Sequence, residues 1–189
     1  MAPKAATKTS TEIAYSTTFH TTPSPLTKVC MSALTTKEMM SMGTTIAAVR
    51  INGQHYEAAW VGDSRIYRWD NSLQRLSHDH SIVEALVEAG ELTEAQARIH
   101  PQRSVLTQAL GITSPDQLHI GLARGELTPG ARLLLCTDGL TDEVDDRRIG
   151  EIVSRSDIAA QECVDHLLLE ALGGNGRDNV TAILLRAAG

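Results

Sequence analysis

The stretch that most constrains this chain is Leu133–Val144, LLLCTDGLTDEV. Leu133, Leu134, Leu135 and Cys136 form a short apolar run, which reads as a strand buried on both faces. Asp138 ends the run, and Gly139 lets the chain turn tightly with no Cβ in the way. A carboxylate at the mouth of a buried strand is costly unless something positive meets it, and a bound cation is the cheapest answer. A second stretch of the same kind, GGNGRDNVTAILL, places Asp178 and Asn179 on a glycine-rich loop just before the strand Val180–Leu185. If the two strands are neighbours, Asp138 and Asp178 converge on one hard divalent ion. Taken alone, an Asp-Gly pair is also an ordinary turn.

A length of 189 residues fits one domain, or one domain with a tail. The chain is 42% hydrophobic but only 3% aromatic, so Leu, Ile, Val and Ala must fill the core. A net charge of −6 argues against a nucleic-acid surface. The three cysteines, Cys30, Cys136 and Cys163, lie far apart with no CxxC, which suits a reducing cytoplasm. No run approaches the length of a membrane span, and the first residues lack the apolar core of a signal peptide.

Met1–Thr22 is rich in Thr, Ser, Ala and Lys, so residues 1–23 are expected to form a flexible tail ahead of a domain at 24–189. Ser24-Pro25 reads as a helix start, and Leu26, Val29, Cys30, Ala33 and Leu34 then fall on one helical face. The methionines Met39, Met40 and Met42 read as packing. From Gly43 the period changes to two. Thr44–Ile51, the turn at Asn52-Gly53, Tyr56–Val61, Ile66–Trp69 and Leu73–Leu76 predict an antiparallel meander. Ser81/Glu84 and Thr93/Gln96 predict two short capped helices in a flap at about 81–111. His119–Leu127 and Arg132–Cys136 predict a hairpin across Thr128-Pro129-Gly130. Asp145 or Asp146, then Asp157, predict two closing helices, the second ended by Gly173-Gly174.

The segments MGTTIAAV, VGDSRIYRW, LSHDHS, HPQRSVLTQALG, LLLCTDGLTDEV and GRDNVTAILL, in this order from Met42 to Leu185, resemble the bacterial form of the PPM (PP2C-like) metal-dependent Ser/Thr protein phosphatases. The resemblance implies an α+β fold, an antiparallel β-sandwich flanked by helices (α-β-β-α), here truncated at its N-terminal side. It implies hydrolysis of phospho-Ser and phospho-Thr by a metal-activated water, with Mn²⁺ or Mg²⁺ as cofactor. Asp138 and Asp178 match ligands of the first metal, and Asp63 of the GDSR segment matches a ligand of a more weakly held one. The implied partners are phosphorylated proteins, substrates of a cognate Ser/Thr kinase, met by a cytoplasmic monomer with no nucleic acid and no membrane span.

One part of the family pattern has no match. A DGMGG-like motif, whose aspartate bridges two metals, and a phosphate-gripping arginine are expected upstream, yet no Asp precedes Asp63 and no Arg precedes Arg50. Two functions therefore stand side by side: an active phosphatase, or a catalytically impaired pseudophosphatase or phosphoprotein-binding module of the same fold. Lost family strands should also leave sandwich edges open. Arg65 and Arg103 either touch a phosphopeptide or pair with carboxylates. Asp142 reads as a cap for the following helix, His78 and His80 as loop hydrogen bonders, His100 as structural, and Cys136 as packing.

Overall fold

The computed structural model describes the backbone of residues 11–17 and 29–35 and the whole of 43–174 and 178–187. The strands are β1 (Thr11–Thr17), β2 (Val29–Thr35), β3 (Gly43–Asn52), β4 (His55–Val61), β5 (Arg65–Asp70), β6 (Ser72–Arg75), β7 (Gly121–Glu126), β8 (Arg132–Cys136) and β9 (Thr181–Ala187). The helices are α1 (Ile82–Glu88), α2 (Glu94–Arg98), α3 (Asp138–Thr141), α4 (Asp146–Val153) and α5 (Ala160–Gly173). One sheet runs β1-β9-β8-β5-β6 and the other β2-β3-β4-β7, and every pairing is antiparallel.

The run of leucines explains the layering. Successive residues of a strand point to opposite faces. Leu133 and Leu135 face the second sheet, joining Ala47, Val49, Tyr56, Trp60 and Ile66 in the core between the sheets. Leu134 and Cys136 face the helices, packing with Leu140, Ile149, Val164 and Leu167. β8 is thus buried on both faces, as its sequence predicts. The amphipathic face of α5 behaves likewise: Val164, Leu167, Leu168 and Ala171 are buried, whereas Leu172 is half exposed.

Several local expectations differ from the fold. Val29–Thr35 is strand rather than helix, paired along its length with β3. An isolated helix of that size is marginal, while the unpaired edge of β3 offers a full ladder of hydrogen bonds. Thr11–Thr17, expected within a flexible tail, pairs with β9 in the same way; TEIAYST is rich in residues that favour strands. These two strands cover edges expected to be open. Residues 24–28 and the methionine cluster lie outside the described residues. β7 and β8 are not a hairpin: β7 joins β4, and β8 joins β5 and β9 in the other sheet. The Thr128-Pro129-Gly130 link carries the chain across the sandwich, with Gly130 at φ 83°. At the β3–β4 turn only Gly53 takes a positive φ, 62°, and Asn52 stays in the strand, paired with His55. Asp157 does not open α5, which starts at Ala160; its carboxylate accepts instead from Arg155 Nη2 at 2.8 Å.

Candidate metal centre

Two strand ends and one sheet crossing meet at one end of the sandwich. β8 and β9 are adjacent, with Cys136 opposite Ala182, so the loop after one abuts the loop before the other. Thr137 stitches them together. Its Oγ1 accepts from Thr181 N–H at 3.0 Å and donates to Asn179 O at 3.3 Å, and its own N–H donates to Thr181 O at 3.1 Å. Gly139 is fully covered, and a Cβ there would stand 2.4 Å from Asn179 O. Only glycine lets the loops approach this closely.

Asp138 and Asp178 flank this contact. Each carboxylate accepts from the next backbone N–H, Asp138 from Gly139 at 2.9 Å and Asp178 from Asn179 at 2.7 Å. Asp138 is half-buried, and its carboxyl is pushed above the usual carboxylate range by burial, then by the charges of Asp178 and Asp142. Asp63 enters from the β4–β5 crossing, where Gly62 (φ 101°) turns the chain and Ser64 Oγ meets Thr45 Oγ1 at 3.1 Å. Its carboxyl is pushed up to about 7 by burial, then by Asp138 and Asp79. Asp63 and Asp138 line one cleft of about 80 Å³, joined on its walls by Asp79, Glu84 and Asp142. A larger hollow of about 310 Å³ between β6 and α4 holds none of the expected ligands.

Burial and mutual repulsion act together on Asp63 and Asp138, which is the condition a bound cation relieves. The donors are all oxygen and so fit a hard divalent ion. A softer centre at Cys136 is excluded by its burial, which pushes the thiol well above its ordinary range.

The two expected substrate contacts fare differently. Arg65 is engaged within the protein: Nε and Nη2 both donate to Asp79, the latter at 2.7 Å, and Nη1 donates to the Tyr67 hydroxyl at 3.4 Å. Arg103 sits on the rim of the cleft, 3.8 Å from Asp142 and partly exposed. Asp142 itself is not the cap of α4; Asp145 takes that position, accepting from Arg148 N–H at 2.7 Å, and Asp142 closes α3 and lines the cleft. His80 makes the expected loop contacts, with Nδ1 accepting from Gly62 N–H at 3.2 Å and its own N–H donating to Gly62 O at 2.9 Å. Asp79 was not among the predicted site residues. It stands in LSHDHS between His78 and His80.

The family profile described as Protein phosphatase 2C matches residues 27–172. This chain belongs to the protein phosphatase 2C family. The serine/threonine protein phosphatase PstP of Mycobacterium tuberculosis is 36% identical over 148 residues, covering 78% of this chain and 28% of that protein. The crystal structure of the M. tuberculosis phosphatase PstP/Ppp superposes with a TM-score of 0.71 at 35% identity, covering 78% of this chain and 61% of that one. The PstP catalytic domain in complex with two manganese ions superposes at 0.68 with 32% identity, over 78% of this chain and 60% of that one. The chain thus spans less than two thirds of the length of each of these relatives. Among its described residues, no helix is long and apolar enough to cross a membrane.

Proposed function

We propose that this PP2C-family chain serves a Mn²⁺- or Mg²⁺-dependent protein Ser/Thr phosphatase, with Asp138 and Asp178 holding one cation and Asp63 contributing to a second, weaker position. The observation that carries the reading is that Asp138 shares a cleft with Asp63 and faces the charge of the exposed Asp178 across the adjoining loop. When bound, such an ion polarises a phosphoryl oxygen and neutralises developing charge. The chain's own residues do the rest. Thr137 and Gly139 hold the two ligand loops together. The Arg65–Asp79 pair fixes the strand that follows Asp63. Arg103, on the rim, is placed to meet a phosphate anion. Phosphorylated proteins supplied by a Ser/Thr kinase are the proposed substrates, met in the cytoplasm by a monomer whose flap at 81–111 overhangs the cleft and whose first 23 residues act as a tail.

A second reading is favoured by one observation: Arg65, the arginine nearest the aspartates, is committed to Asp79. On this reading the chain binds phosphoprotein without turning it over. The test is hydrolysis of an aryl phosphate and a phosphothreonine peptide in millimolar Mn²⁺, beside calorimetric Mn²⁺ titration, for the native chain, Asp138→Asn and Asp178→Asn. Turnover that depends on Mn²⁺ and is lost in both variants carries the enzyme reading. Mn²⁺ binding lost in both, with no native turnover, carries the second. Unchanged Mn²⁺ binding in both variants refutes the metal centre itself.

A further inference from the structure

The first flap helix carries another group of cation-binding side chains, outside the aspartate centre. Ser81 caps α1 by accepting from Glu84 N–H at 3.2 Å, and Glu84 and Glu88, one turn apart, share a helix face. His78 lies in the link before the helix, its carbonyl accepting from Trp60 Nε1 at 2.8 Å. His78 Nδ1 consequently lies 3.6 Å from Glu84 Oε1 and 3.3 Å from Glu88 Oε1. The ligand atoms of all three residues fall within 4.8 Å of one another.

These separations lie within ion-pair range and also match shared ligation of one ion. An imidazolium donating to a carboxylate closes to about 2.7–2.9 Å, and both distances here are longer. Two ligands on one tetrahedral ion, each about 2.0–2.2 Å from it, stand roughly 3.4 Å apart, which falls between the two observed values. Glu84 is moreover pre-set. It is only 7% exposed, and Arg75 Nη2 donates to the same Oε1 that lies nearest His78, a hydrogen bond that orients the carboxylate. Glu94, 3.9 Å from Arg75, offsets that positive charge. One imidazole with two carboxylates suits a borderline ion better than Mg²⁺.

We propose that His78, Glu84 and Glu88 bind a borderline divalent cation of the Zn²⁺ class, joining α1 to the link that precedes it. Because Glu84 also lines the cleft with Asp63 and Asp138, an ion bound there neutralises one wall of that cleft and holds the root of the flap. The site is independent of whether the aspartate centre supports turnover.

The experiment is Zn²⁺ titration of the full chain in an Asp138→Asn/Asp178→Asn background, so that the aspartate centre does not contribute, with tryptic mapping of diethylpyrocarbonate modification as a second readout. One Zn²⁺ should bind and protect His78 from modification. His78→Ala and Glu88→Gln should each weaken binding by more than the roughly 10–100-fold that loss of a partner behind a ligand costs. His55→Ala, at another exposed histidine–glutamate pair, should leave the titration unchanged. Both tested side chains are more than half exposed, so these variants keep the fold. Zn²⁺ binding that is absent in the background protein, or equal in His78→Ala and Glu88→Gln, overturns the proposal. So does loss of binding in His55→Ala alone.

Discussion

Gly139→Ala tests whether the two aspartate loops truly abut. Two effects of the added methyl oppose each other. Gly139 lies in the first turn of α3, where alanine is intrinsically favoured over glycine by up to about 1 kcal/mol. Against this, the new Cβ would lie 2.4 Å from Asn179 O, 2.9 Å from Asn179 C and 3.4 Å from Val180 Cα. All three are backbone atoms, so no rotamer change relieves the clash, and overpacking of this kind costs about 1–3 kcal/mol. The upper end applies, because separating the loops also stretches the Thr137 contacts to Asn179 and Thr181. A net loss of about 2 kcal/mol is expected, which for a domain of this size lowers Tm by roughly 4–8 °C. Mn²⁺ affinity should fall as well, since the carboxylates of Asp138 and Asp178 are moved apart with their loops. Thermal unfolding and calorimetric titration read both effects. Gly173→Ala is the control: nothing lies within 4 Å of its Cβ position at the end of α5, so a gain of about 0.4–1 kcal/mol is expected. If Gly139→Ala melts at or above the native temperature and titrates identically, the loops are not in contact and the convergence of Asp138 and Asp178 loses its basis.

Two other outcomes follow from the same end of the sandwich. Asp79→Ala should destabilise by about 3–5 kcal/mol, because it leaves the largely buried Arg65 guanidinium without its carboxylate, and Arg65→Met/Asp79→Ala should recover part of the loss; a single variant as stable as native in urea would show that this pair does not hold the strand after Asp63. Hydrogen exchange should open α2, which has no buried residue, before α1, and α1 before β9, whereas protection of α2 equal to that of β9 would remove the flap.

What the sequence made legible was local. The burial of β8 on both faces follows from four consecutive apolar residues, and the caps of α1, α2 and α4 follow from side chains within three residues of the N–H groups they receive. Asp63, Asp138 and Asp178 each stand in a short motif beside a strand, which is what nominates them in the sequence, and their ligation of a cation is the proposal above. Asp142 and Asp145 carry the same chemistry three residues apart, and it is Asp145 that caps α4. Proximity in sequence does not say which carboxylate faces the helix and which the cleft.

What was not legible depends on partners distant along the chain. The apolar spacing of Leu26–Leu34 fits a helix, yet Val29–Thr35 is strand, and the deciding factor is the edge of β3, whose hydrogen-bonding groups need a partner whatever the local period prefers. Arg65 offers the same lesson in a side chain. As a sequence position beside Asp63 it is a plausible phosphate ligand, because a guanidinium fork matches phosphate and carboxylate equally well. That equivalence is why Asp79, 14 residues away, can occupy it. A phosphate could displace Asp79 only by leaving that carboxylate, itself 9% exposed, without its cation, a state whose cost exceeds what one exchanged contact returns. The exposed Arg103, with only a 3.8 Å contact to Asp142, faces no such penalty, which is why the proposed function puts anion recognition at the rim and not at the arginine adjoining the aspartates.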